Sequence, residues 1–207
     1  MKNGSVFYTS TQAITYPLLV DTWVYTQGAT LNAVVINGAS PVPPPSSADP
    51  VVWTSVVGVN VNGNSLSKTA LTGDAGAIST QQIVSGDGYV EATASETTTY
   101  RMFGLSNGNT DTSSADIDFG LDLAPGGVIY VFEKGTNRGS FATYLTGDVM
   151  RVAVVGGVVK YMRSTNSDSL ICVFIVLRSV TGSVGSTRAT AARSRAAKVS
   201  GSTFART

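Results

Sequence analysis

The stretch with the most chemical potential is "ADIDFGLDL", residues 115–123. Read as an extended strand, it turns Asp116, Asp118, Gly120 and Asp122 to one face and Ile117, Phe119, Leu121 and Leu123 to the other. Carboxylates placed this way can accept hydrogen bonds from a ligand or work as an acid/base pair. Retaining hydrolysis of a glycosidic bond requires two carboxyl groups about 5 Å apart, and six residues of strand put Asp122 roughly 20 Å from Asp116. Just upstream, "SNGNTDTSSAD" offers oxygen ligands for calcium at Asn107, Asn109 and Asp111, but it lacks the spacing and the bidentate Glu of an EF-hand loop. Histidine is absent from the chain, which removes His-dependent triads and the usual zinc sites. The single cysteine, Cys172, lies in an apolar run and reads as buried and inert; alone it forms no internal disulfide. "GNSLSKT" lacks the glycine pattern of a phosphate loop.

The elements that must position these groups are strands. Of 207 residues only 13% are charged, 22 are Gly, and Val, Thr and Ser abound, as in a β-rich chain with many turns. A net charge of +1 gives no electrostatic grip on nucleic acid or anionic lipid. The N-terminus has neither the basic nor the apolar region of a signal peptide, and "LICVFIVL" is far below the ~20 residues of a spanning helix. A soluble chain without an export signal of its own is expected. Strand-sized apolar bursts recur with turn signals between them, and no amphipathic helix interrupts them. In "YVEATA", Val90, Ala92 and Ala94 face one way while Tyr89, Glu91 and Thr93 face the other, so one face is core and one is wet. Asn62-Gly63-Asn64, between Val61 and Leu66, marks a hairpin.

The segments "SGDGYVEATASETTTYRMFGLSNGNTD", "ADIDFGLDL", "VIYVFEKGTNRGSF" and "GDVMRVAVVGGVVKY" resemble a module repeated in bacterial secreted and surface proteins, the concanavalin A-like lectin/glucanase jelly roll, close in pattern to SPRY and laminin-G domains. The resemblance covers residues 51–162 and, separately, 2–38. It implies an all-β fold, an antiparallel two-sheet jelly-roll sandwich, in an extracellular or cell-surface setting. In jelly-roll glucanases the strand resembling "ADIDFGLDL" carries a nucleophile, a helper Asp and an acid/base. Carried over, Asp116 would be the nucleophile and Asp118 the helper, while the acid/base slot falls on Gly120 or Leu121. The dyad is broken, and no catalytic residue is expected. A non-catalytic binding module for a glycan or cell-surface polymer is the reading that follows. Carboxylates and cations at Glu91, Arg101, Asp116 and Asp118 would be its hydrogen-bonding groups, and Tyr100, Trp53 or Trp23 its aromatic platform. No cofactor is expected beyond a possible calcium, and the other partners would be neighbouring modules; a spacer in a tandem-repeat surface protein is the alternative.

In the module, pieces resembling residues 2–38 follow the strand resembling "GGVVKY"; here they come first, so the order is circularly permuted. Asn3-Gly4 is a strong two-residue hairpin signal with no strand before it. Its missing partner is expected to be Gly157–Arg163, at the other end of the module, leaving Val6, Tyr8, Leu18, Val20, Val34 and Ile36 mostly buried. The alternative assigns residues 1–38 to a neighbouring module. Residues 39–50, with five prolines, read as a polyproline linker that cannot join a central sheet. Residues 51–164 form the main portion, 165–182 an apolar strand-like segment, and 183–207 a basic tail with little to bury.

Overall fold

The computed structural model describes residues 4–38 and 48–165. Its elements are all strands: β1 (Ser5–Thr9), β2 (Leu18–Val24), β3 (Thr30–Asn37), β4 (Asp49–Pro50), β5 (Trp53–Val57), β6 (Val59–Asn62), β7 (Ser65–Lys68), β8 (Gly76–Ile83), β9 (Gly88–Thr93), β10 (Arg101–Ser106), β11 (Phe119–Ala124), β12 (Val128–Glu133), β13 (Thr136–Thr143), β14 (Val149–Val155) and β15 (Val158–Ser164). They form two antiparallel sheets. The eight-stranded sheet runs β1-β15-β14-β9-β3-β7-β6, with β4 added on β3, and the seven-stranded sheet runs β13-β12-β11-β10-β2-β8-β5.

The first 38 residues are woven into both sheets. β1 lies antiparallel to β15 with Ser5 opposite Arg163 and Thr9 opposite Lys160, so the opening Asn-Gly signal has its partner strand at the far end of the domain. β2 sits between β10 and β8, and β3 between β9 and β7. Their inward side chains Leu18, Val20, Val34 and Ile36 are fully buried in one core with Phe103, Leu121 and Val152. At ~1.5–3 kcal/mol for each buried aliphatic, this segment supplies much of what holds the sandwich together. Val6 departs from the expected burial and is 46% exposed. β1 is an edge strand, and an irregularity between Val6 and Tyr8 shifts its register, so that Phe7 and Tyr8 both reach the core instead.

Alternation in the sequence becomes alternation in burial along β9 and β12. Along β9, Val90 and Ala92 are buried while Tyr89, Glu91 and Thr93 are half-buried. The β6–β7 hairpin forms at the predicted place, with Gly63 at φ 58° as the first of its two central residues. A positive φ at that residue alone fits the II′ turn rather than I′. The linker reading needs one correction: Asp49 and Pro50 do join the sheet, opposite Ile36 and Val35. Proline is tolerated there because β4 is a two-residue strand at the sheet margin, where the missing N–H interrupts no ladder. Residues 39–47, the apolar 165–182 segment beyond Thr165, Cys172 and the basic tail lie outside the described residues.

Candidate functional site

The site is best built from β2. In "LLVDTWVY", Leu18, Val20 and Val24 enter the core, so Asp21, Trp23 and Tyr25 face away from it, on the outer side of the seven-stranded sheet. The register carries that face across the sheet. Trp23 lies opposite Met102, Met102 opposite Asp122, and Asp122 opposite Tyr130, one row over four strands. In the next row Asp21 stands opposite Gly104, and Gly104 opposite Gly120. A side chain at Gly104 would put its Cβ 2.0 Å from the Phe119 carbonyl oxygen, so the centre of this face has no room for one, and both glycines are buried.

Two carboxylates are buried here. Asp122 is 6% exposed, and its Oδ1 finds no hydrogen-bond partner. Burial raises its pKa from 3.8 to about 7, with the charge of Arg101 opposing the rise. Asp21 is also raised to about 7, by burial and by the nearby charges of Asp116 and Asp111, against a lowering hydrogen bond from Ser106. Ser106 Oγ donates to Asp21 Oδ2 at 3.0 Å, and the Thr22 amide donates to Oδ1 at 2.7 Å. Asp21 is therefore satisfied, and Asp122 is not.

At the Trp23 end the row opens to solvent as an aromatic strip. Trp23 stacks on Tyr25 with ring centroids 5.1 Å apart, and Tyr25 meets Tyr100 edge-on at 6.4 Å. Tyr25 is 56% and Tyr100 42% exposed. The strip is braced from behind. Trp23 Nε1 donates to Asp74 Oδ1 at 2.7 Å, and buried Lys68 donates to the carbonyls of Tyr25 and Gly73 with its ammonium 5.7 Å from the Tyr25 ring centre.

The residues singled out in the sequence are scattered by this geometry. Asp116 and Asp118 do not lie on a strand with Asp122, because β11 begins at Phe119 and a turn closes on Asp116 through its amide and the Ser113 carbonyl. Their carboxylates tie down the 107–118 loop: Asp116 accepts from the amide and hydroxyl of Thr110, and Asp118 accepts from the Asn107 amide at 2.8 Å. That loop folds back on the outer face, where Ile117 is fully buried beside Gly120. Arg101 is fully buried, paired with Glu96 and bonded to Thr99, its guanidinium 5.8 Å from the Tyr144 ring centre. Placed this way, it has no surface to offer a ligand. Glu91 belongs to the other sheet, where it pairs with Arg151. Of the calcium candidates, the Asn107 side chain donates to the Pro17 carbonyl and Asp111 accepts from the Ser113 amide. Among the described residues no three His, Cys, Asp or Glu side chains gather around a common point that could hold a metal. Trp53 packs against the core with its indole nitrogen buried and unpartnered.

Of the named residues, Trp23 and Tyr100 are brought together, through Tyr25. Tyr25, Asp21 and the true setting of Asp122 were missed. The signal was present for the first two, since alternation along "LLVDTWVY" puts Asp21, Trp23 and Tyr25 on one face. No protein-family model, no curated protein and no solved structure matches the chain, so the site stands on its own geometry.

Proposed function

We propose that this domain is a non-catalytic binding module for a glycan or another hydroxyl-rich surface polymer, and that the ligand lies along the outer face of the seven-stranded sheet. The observation that carries the reading is the row Trp23–Met102–Asp122–Tyr130, which sets a buried carboxylate with an unspent acceptor between aromatic side chains and leads to the exposed rings of Tyr25 and Tyr100. A sugar ring presents apolar C–H groups to an aromatic face and hydroxyl donors to a carboxylate, so both halves of the row have a use. An unsatisfied buried acceptor costs about 1–3 kcal/mol in the free protein.

Glycoside hydrolysis is disfavoured by position. Asp21 and Asp122 lie two strands and one side-chain step apart, roughly 12 Å between Cα atoms at ordinary sheet spacing. Retaining chemistry wants carboxyl groups ~5 Å apart, nearer than two short Asp side chains reach from that spacing. Glu91 is on the opposite sheet. The two-sheet antiparallel architecture is compatible with a concanavalin A-like jelly roll in permuted order, and an extracellular or cell-surface setting beside neighbouring modules goes with that reading.

The test is binding of the full chain to a glycan array and to soluble polysaccharides in affinity gels. Tyr25→Ala combined with Asp122→Ala should weaken any binding at least tenfold while the chain stays folded by circular dichroism. The reading fails if the wild-type protein binds none of these polymers, or if the double variant binds as well as the wild type.

A further inference from the structure

A second polar surface lies on the other sheet. β3, β7 and β6 form a half-open hollow of about 180 Å³ lined by Thr30, Asn32, Asn62, Ser65, Leu66 and Ser67. Leu66 is turned to the core, and its neighbours Ser65 and Ser67 alternate to the outer side with Thr30 and Asn32 of the adjoining strand. Five of the six lining residues thus carry a neutral hydroxyl or amide, and none is ionisable.

Two features single this hollow out from an ordinary wet sheet face. First, β3 is irregular beside it: pairing with β9 slips between Asn32 and Val35, and Ala33 sits at φ 51°. A non-glycine residue there costs on the order of 1 kcal/mol and persists only where its surroundings hold it. They do so here. The Ala33 amide donates to Ser65 Oγ at 3.0 Å, the Val34 amide to the Asn64 carbonyl at 3.2 Å, and the Asn64 side chain to the Val34 carbonyl at 2.8 Å. Second, the bulge is held by Asn64 and Ser65, so the side-chain amides of Asn32 and Asn62 are not consumed by it. Neither these amides nor the Ser67 hydroxyl hydrogen-bonds to any described residue.

The lining decides the class of ligand. Without a cation it is a poorer match for phosphate or carboxylate, without a carboxylate for a metal ion or amine, and without an aromatic ring for a stacked nucleobase. Paired amides with adjacent hydroxyls supply donors and acceptors together, which is what neighbouring sugar hydroxyls require. From this we infer that the trough between β3, β6 and β7 is a separate binding site for a neutral, hydroxyl-rich unit about the size of one pyranose. The aromatic row lies on the opposite sheet, so a chain with both sites would hold two glycan strands at once and cross-link them.

The side-chain amide signals of Asn32 and Asn62 can be followed by nitrogen-edited NMR on the full chain. Probes are glucose, galactose, mannose and cellohexaose, with inorganic phosphate and galacturonate as charged controls. Saturable shifts of both amides with at least one neutral sugar are expected, retained in Tyr25→Ala/Asp122→Ala and, read at the remaining Asn62 amide, weakened tenfold or more by Asn32→Ala with Ser67→Val. The inference is overturned if no neutral sugar moves them, if phosphate moves them equally, or if the shifts vanish in the Tyr25/Asp122 variant and so belong to the other face. Should Asn32→Ala/Ser67→Val unfold, Asn62→Ala in the exposed hairpin replaces it in the same titration.

Discussion

The outer faces of the two sheets treat their carboxylates in opposite ways. On the eight-stranded sheet Glu91 is matched: Arg151 donates to it at 2.7 Å, and the guanidinium lies 3.9 Å from the centre of the Tyr89 ring. On the seven-stranded sheet Asp122 is more deeply buried and has an oxygen without a partner. A pair that satisfies itself strengthens the sheet and leaves nothing for a ligand. An unsatisfied carboxylate weakens the fold, and such a cost persists in working proteins where it serves recognition. On the binding reading proposed above, the contrast separates a carboxylate spent on the fold from one left for contact.

The most drastic way to break the comparison is to remove a strand from each face at once. Deleting residues 1–38 takes β2 from the middle of one sheet and β3 from the middle of the other, together with several fully buried aliphatics. Against a typical domain stability of ~5–15 kcal/mol, this loss should abolish the cooperative thermal transition in calorimetry. Cooperative melting of the truncated chain would mean that the two faces do not depend on this segment. A matched charge inside the fold comes next in size. Arg101→Ala strips Glu96 of its partner and empties a fully buried volume, and should cost about 3–5 kcal/mol in denaturant titration.

Asp122→Asn should act in the other direction. The folded protein holds the Asp122 proton up to about pH 7, whereas the unfolded chain releases it near 3.8. Between those values the folded state binds more protons at this group, so the contribution of Asp122 to stability is greatest below about pH 4 and falls as pH rises towards 7. Asparagine removes that loss. The variant should melt higher than wild type at pH 8, by a free energy on the order of 2 kcal/mol, and close to wild type at pH 4. An equal effect at both pH values would show that the gain comes from packing rather than charge. The smallest effect belongs to the matched surface pair: Arg151→Ala should cost about 0.5–1 kcal/mol, and less in high salt. A larger, salt-independent loss would put the weight on stacking against Tyr89.

Much of the fold is legible in the sequence because half-buried strands print their period directly. "YVEATA" gives β9 face by face, and Asn62-Gly63-Asn64 marks the β6–β7 hairpin. The orphaned Asn-Gly at the start points to its partner strand over 150 residues away, because an unpaired edge demands one. The site is less legible, since alternation records a period and not where a strand begins. "ADIDFGLDL" alternates throughout, yet its first four residues are claimed by the Ser113–Asp116 turn and by side-chain bonds from Asp116 and Asp118 back to the loop. Arg101 looks like a surface ligand because nothing in the local pattern announces that Glu96, five residues earlier, will pair with it and let its guanidinium be buried. Pro50 joins a sheet against its propensity because its position at the margin is a tertiary fact.

The pairing of β1 with β15 also fixes how the domain would respond to traction. Residues 4 and 165 lie at the same end of two adjacent antiparallel strands, Ser5 facing Arg163. Tension applied through these two points would load the ladder in peeling geometry, one hydrogen bond after another, instead of shearing all of them together. The first strong resistance would come from Tyr8, packed against Phe141 and Tyr161 at 4.5 and 5.5 Å. With its attachment points about one strand spacing apart, ~5 Å, the folded body would add almost nothing to the contour of a tether and would open at low force. A domain wired this way hangs from a string as a pendant and makes a poor link in a chain.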